Sequence, residues 1–263
     1  MKVALSCLSL ALLALGALVA FRPAGSLVTS STREIRPVPP FSRVLLATSA
    51  TVIVRQGPQQ VTIEASPEDL NRLETNVTAG QLRISTMAPT GWDRLSVRRR
   101  GSFTVRITLP IVSSLSVRSS GDMEVDSLSV KGLVLDVGGS GHLRVRELRA
   151  SNVQAELSSS GRISIDHLRA DTLQADVAGS GSITAAGSCT HSSLDLSSSG
   201  AINTDRLVTS TCLVHVSGSG NCQVNASRAA NVRISSSGTV VLSGNPSINQ
   251  RISGSGQLLR KSF

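Results

Sequence analysis

Four carboxylates recur at nearly constant separation along this 263-residue chain: Asp136, Glu156, Asp176 and Asp195. Each lies between apolar residues, the position of an outward side chain in a strand whose neighbours face a core. His215, Arg233 and Arg251 continue the series. If segments of this length stack in parallel, these side chains form one column with a spacing of about 4.8 Å. Carboxylates that close repel one another and would be relieved by a cation such as calcium, which takes oxygen ligands. The column is therefore a candidate cation site. Against it stands a solvated stripe neutralised by nearby arginines, because exposed ion pairs are common and contribute little. Two acids about 5 Å apart could also act on a glycosidic bond. No aromatic platform and no set of unlike residues converging on one segment accompanies them. A glycan-cleaving β-helix enzyme is thus a lesser alternative, and no catalytic residue is assigned.

Other reactive residues carry less. Cys189, Cys212 and Cys222 lie beyond the first 20 residues. An odd count cannot pair completely, and neither CxxC nor Cys/His spacing suggests zinc. Cys212 and Cys222 fall at inward positions and look like small core residues, although an oxidising compartment would allow one disulfide among the three. His142, His167, His191 and His215 occur one per repeat, which gives no metal cluster. The glycines form no phosphate loop, since no Lys-Ser/Thr follows them. No cofactor is expected. Arg94, Arg98, Arg99 and Arg100 make the densest basic patch. Its plain reading is a solvated loop, and its functional reading is a contact with an anionic envelope polymer. With no aromatic residues interleaved among these arginines to stack bases, a nucleic-acid partner is not expected.

The elements that position these residues are set by a repeat. A triplet ending in Ser-Gly places its glycine at Gly121, Gly141, Gly161, Gly181, Gly200, Gly220, Gly238 and Gly256, at intervals of 20, 20, 20, 19, 20, 18 and 18. Such constancy marks a repeat architecture, and the period is too short for a propeller blade. Apolar residues alternate within each unit, as in Met123, Val125, Leu128, Leu133, Leu135 and Val137, which is strand periodicity. One unit cannot bury enough to order itself, so units must stack and extend a shared aliphatic core. The expected fold is all-β: a parallel β-helix, or β-solenoid, whose eight corners make a rod on the order of 35 Å long. Glycine suits the corners through positive φ without a Cβ clash, and serine can bond freed backbone groups. The triplets alternate between SSG, at Ser119, Ser159, Ser198 and Ser236, and GSG, at Gly139, Gly179, Gly218 and Gly254. A serine hydroxyl in every second coil is expected to fill the space left by the glycines above and below.

Residues 41–118 keep the β alternation without the triplet and read as an N-terminal β cap that covers the open end of the 119–263 solenoid. Within it, Ser66-Pro67-Glu68-Asp69 predicts a short helix over 67–74. Residues 21–40, with a Ser/Thr run and then Pro37, Pro39 and Pro40, have tether composition. Residues 3–21 contain no charge and follow a single lysine, which reads as a signal peptide or an uncleaved anchor over residues 1–20. The remainder is then exported to the periplasm, outer membrane or cell surface, with the membrane touched only by the N-terminal segment. Beyond residue 20 the chain keeps 25 basic against 17 acidic side chains, a net charge of +8. With 2% aromatic residues, sugar-stacking clefts and cofactor pockets are disfavoured.

The export signal, the lead-in over 41–54 and the Ser-Gly corners followed by alternating aliphatics resemble the bacterial putative auto-transporter adhesin family, head GIN domain, over about residues 41–260. The resemblance implies a β-helical envelope protein and brings no catalytic residues. Two departures stand out: the last coils shorten to 18 residues, and no barrel segment follows them, so self-transport is not expected. The functional expectation is a non-catalytic exported adhesin or surface-binding head, whose partner is an unidentified protein or glycan surface. The alternative is a periplasmic structural or sensory module held by the N-terminal helix.

Overall fold

The structure, a computed structural model, describes residues 31–87 and 103–261. The expected signal or anchor over 1–20 and the arginine cluster at 94–100 lie outside the described residues. The described residues belong to one compact unit, nearly all β, with a β-solenoid of about seven turns. The parallel β-helix expected from the repeat is what forms.

Each central coil is one long strand that wraps around the core: β9 (Asp122–Val137), β10 (His142–Leu157), β11 (Arg162–Val177), β12 (Ser182–Leu196), β13 (Ala201–Val216) and β14 (Asn221–Ile234). Successive coils pair in parallel, residue on residue, so Leu143 stacks on Met123 and Ile163 on Leu143. The alternation predicted for β9 is the observed one: Met123, Val125, Leu128, Leu133, Leu135 and Val137 are all buried. The coil bends where two outward residues adjoin, at Asp126-Ser127, for example. The last coil divides into β15 (Thr239–Ser243) and β16 (Ser247–Ile252), followed by β17 (Gln257–Lys261).

The N-terminal part continues the stack from both halves of β9. On the first half lie β3 (Thr51–Gln56), then β7 (Thr104–Leu109), then β4 (Gln60–Ala65), with β4 antiparallel to β7. On the second half lie β8 (Ser114–Val117), β2 (Arg43–Leu46), β6 (Gln81–Thr86) and finally β5 (Leu73–Thr78). Two expectations change here. Thr32–Ile35, inside the expected tether, forms β1 and pairs antiparallel with β4; it covers what would be an open edge. The guanidinium of Arg36 fastens it, donating to the carbonyls of Leu70 and Leu73. The helix α1 is only Pro67–Leu70, capped by Ser66 as its sequence signals. Asn71 ends it, because Leu73 and Glu74 pair with Thr86 and Ser85 instead.

The corners hold by a different mechanism from the expected one. Of the triplet glycines only Gly254 has a left-handed φ. What the others require is proximity. A Cβ on Gly141 would stand 2.0 Å from the carbonyl oxygen of Gly121, on Gly181 2.2 Å from that of Gly161, and on Gly220 2.2 Å from that of Gly200. The glycines are therefore selected by close backbone approach between coils. Where positive φ does occur, at Gly187 (φ +123°), the coil is one residue short, and the register slips between Ile165 and Leu168.

The SSG/GSG alternation is a hydrogen-bond alternation. In two SSG coils the serine hydroxyl donates to the carbonyl of the glycine below it, Ser159 to Gly139 and Ser198 to Gly179, and accepts from the N–H of its own Gly161 or Gly200; Ser119 donates to the carbonyl of Thr48. In GSG coils the N–H of Gly141, Gly181 or Gly220 donates to the serine carbonyl below, at 2.9–3.1 Å. A Cβ on Gly179 would sit 2.1 Å from the Ser159 oxygen, so serine cannot occupy both layers. Gly179→Ser is expected to lower the melting temperature, by overpacking that costs about 1–3 kcal/mol, and Ser198→Ala by the hydrogen bond alone, about 1 kcal/mol. An unchanged melting temperature for Gly179→Ser would sink this packing account.

Candidate functional site

Because coils stack in register, chemistry on this protein comes in columns. Asp136, Glu156, Asp176, Asp195, His215, Arg233 and Arg251 are successive register partners on the second half of the coil, an unbroken outward column. Their local partners differ. Asp136, almost buried, pairs with Arg118 at 2.6 Å. Glu156 and Asp176 accept from the amides of Gln154 and Gln174, two residues back on the same strand, at 2.6 and 2.9 Å. Asp195 is hydrogen-bonded to Nδ1 of His215 at 3.2 Å. Arg233 and Arg251 are exposed and have no acidic partner among the described residues. Only Asp136 is thus neutralised by an arginine.

Among the described residues no three His, Cys, Asp or Glu side chains come together in a way that could hold a metal ion. The acids run along one face, each with its own partner, so the column assembles no cation cradle. Phe41 and Phe103, the Phe, Trp or Tyr side chains among the described residues, are both buried and offer no stacking platform there. His142, His167, His191 and His215 sit on separate coils.

Beside the charged column runs a groove of about 900 Å³ that crosses all the long coils. Its lining contains no Asp, Glu, Lys or Arg; Asn152, Gln154, Thr172, Gln174, Thr211 and Asn231 supply amides and hydroxyls instead. Thr172 donates to Asn152 at 2.7 Å, and His191 bonds Thr211 at 2.6 Å, so part of this ladder is satisfied within the protein. Below it Ser192 takes an inward position that Leu173 holds in the preceding coil, and its Oγ is buried without a partner.

The three described cysteines are free and buried. Burial pushes the Cys212 thiol up to about 11 and the Cys222 thiol up to about 12. They are core residues in the protonated form, as their inward spacing predicts.

One cluster escaped the sequence reading. Asp205 accepts from the hydroxyl of Ser243 and from Nζ of Lys261 at 3.0 Å, and Asn225 donates to its carbonyl at 3.2 Å. Separations of 38 and 56 residues do not fit a 20-residue period, because the coils shorten there and the register shifts between Thr204 and Val208. The cluster ties β15 and β17 to the body. The Ser243 hydroxyl and the Lys261 ammonium hold the Asp205 carboxyl below its usual range.

A family model described as "Putative auto-transporter adhesin, head GIN domain" matches residues 40–246. The chain belongs to this family. The resemblance carried by the Ser-Gly corners is therefore borne out. No curated protein matches the sequence. Among solved structures, this head GIN domain is similar to a putative adhesin from Parabacteroides distasonis at 19% identity, with a TM-score of 0.75 over 89% of this chain and 98% of that one. It is also similar to a putative lipid binding protein from the same organism, at 20% identity and a TM-score of 0.71 over 88% and 97%. A putative adhesin from Parabacteroides merdae follows at 13% identity and 0.67, over 88% and 96%. At these identities the likeness establishes the fold.

Two outcomes are expected. Alkylation of the folded head GIN domain near pH 8 should leave Cys212 and Cys222 unmodified until denaturant is added, as mass spectrometry would show; rapid labelling of either would contradict their burial. The Asp205 cluster stabilises above the carboxyl's unfolded pKa of about 3.9, and its contribution is lost as pH falls through the lowered folded value. Amide exchange in β15 and β17 should therefore rise at acid pH before exchange in β10 and β11. Asp205→Asn should produce the same early exchange at neutral pH, a loss of roughly 1 kcal/mol for a partly exposed group.

Proposed function

We propose that this chain is a non-catalytic, exported head that attaches to a partner or surface through the outer faces of its solenoid. The observation that carries this reading is the in-register stacking that lays outward polar and charged side chains out in continuous columns. Such a face offers a contact every 4.8 Å or so and suits an extended or multivalent ligand. A reaction centre needs a set of groups converging on a point, and a column spreads its groups over successive coils. The family's description as an adhesin head supports attachment. One structural neighbour is named a putative lipid binding protein, and the basic excess beyond residue 20 suits an anionic envelope surface.

Export supports the same reading from the other end of the chain, since residues 3–21 carry no charge and follow Lys2. Protease shaving of intact cells beside osmotically opened cells, following an epitope inserted near Arg98, tests the location. Cleavage in intact cells is the expected result. Protection until the envelope is opened would replace the adhesive head with a periplasmic structural or sensory module.

A further inference from the structure

The charged column has an order that its local partners do not explain. Along the coils it reads Asp136, Glu156, Asp176, Asp195, His215, Arg233, Arg251. Acid occupies one end, base the other, and Asp195 is the fourth of seven. Reversed and laid against itself, the series sets acid against base on both sides of the middle: Glu156 against Arg233, Asp176 against His215, and the Asp136–Arg118 pair against Arg251. Stacking Arg233 on Arg251 in register, with no ion-pair partner for either among the described residues, is unfavourable in the isolated chain. The neighbouring outward column, from Val134 through Gln154, Gln174, Ser193 and Leu213 to Asn231, is uncharged, and Leu213 in it is 49% exposed.

We propose that this face docks a second copy of the chain, antiparallel, about a two-fold axis lying along the strand that carries Asp195. Such an axis preserves position along the strand and reverses the order of coils, so each column meets its own image. Glu156 then faces Arg233 of the second copy, Asp176 faces His215, and the exposed Arg251 faces the Asp136–Arg118 pair. Each of these contacts occurs twice. The Asp195 carboxylates meet at the axis, each already hydrogen-bonded to His215 on the next coil. Leu213 is covered by Gln174 of the other copy. A parallel arrangement would set Glu156 against Glu156 and Arg233 against Arg233, so the same charges that favour the antiparallel pair reject the alternative.

The two columns that the pairing uses are seven coils long, on the order of 30 Å, but together form only a narrow strip of the face. That is well below the roughly 800 Å² per partner of a standard interface. Charge order, and not area, holds the pair, which makes it weak and salt-sensitive. It does not depend on which surface the head attaches to.

Sedimentation velocity on the full chain, at about 0.02 M and about 0.5 M salt, tests the proposal. A dimer at low salt that dissociates at high salt is expected. Glu156→Arg alone and Arg233→Glu alone should each weaken it by about tenfold or more, since each creates two like-charge contacts. Mixing the two variants in equal amounts should restore a dimer. In the mixed pair one copy is basic at both positions and the other acidic at both, so both contacts between positions 156 and 233 again join unlike charges. The double swap in one chain should do the same. A monomer at low salt overturns the proposal, as does a dimer indifferent to both substitutions or a mixture that stays monomeric. Circular dichroism checks that each variant folds. Should Glu156→Arg fail to fold, exposed Arg233→Glu decides alone: a low-salt dimer that survives it overturns the proposal.

Discussion

The fold depends on how closely the backbone of one coil can approach the backbone of the next at a single corner. The triplet glycines from Gly141 to Gly220 leave no room for a Cβ against the carbonyl below. That contact sets the coil height at the corner to the spacing that parallel pairing demands elsewhere in the coil. With a larger residue the corner would open, and the strands on either side would lose register together, because each coil is one continuous strand on both flanks. Leu143 lies over Met123 and Val153 over Leu133 only while the corner holds them at the same height.

Closeness at the corner creates a second requirement. Backbone groups packed this tightly must bond to one another or to a side chain, since water cannot reach them. The chain meets this in pairs of coils. A GSG layer, with glycine as the first residue, lets the N–H of the third residue reach the serine carbonyl below, and the following layer uses a serine hydroxyl as both donor and acceptor. Neither layer can be repeated on itself: two serine layers collide, and two glycine layers lack the hydroxyl that Ser159 and Ser198 supply to the carbonyls of Gly139 and Gly179. A two-coil rhythm follows from sterics and polar satisfaction combined, with no contribution from the core.

Periodic features are legible in the sequence and aperiodic ones are not. Spacing of the Ser-Gly triplets and alternation of the aliphatics lead to the solenoid, its inward set and the outward acid column, because a stacked repeat converts sequence period directly into spatial adjacency. The reason for glycine is not legible in the same way. A sequence reports that a position lacks a side chain, and both positive φ and close approach produce that same residue. Thr32–Ile35 reads as tether because its neighbours are Ser, Thr and Pro, while the need that orders it, an edge on β4, arises only once β4 is in place. Asp205, Ser243 and Lys261 come together through a register shift that no fixed period contains.

A solenoid also constrains what kind of surface it can evolve. A substitution in one coil changes one rung of a column, and its nearest neighbours are the same rung on the coils above and below. Gathering three unlike groups at a point therefore requires residues from several columns, while grading one property along a column requires only single, independent changes. The order from Asp136 to Arg251 is such a gradient. Its local cost is repulsion between like charges on adjacent coils, which Arg118, Gln154, Gln174 and His215 relieve at the acidic end. Nothing comparable relieves Arg233 and Arg251, although an acidic residue one coil further on would do so by the same device. The basic end is left unpaired where the fold could have paired it, and a charge left unpaired on a rigid, regularly spaced face is available to whatever presents the opposite charge at the same spacing.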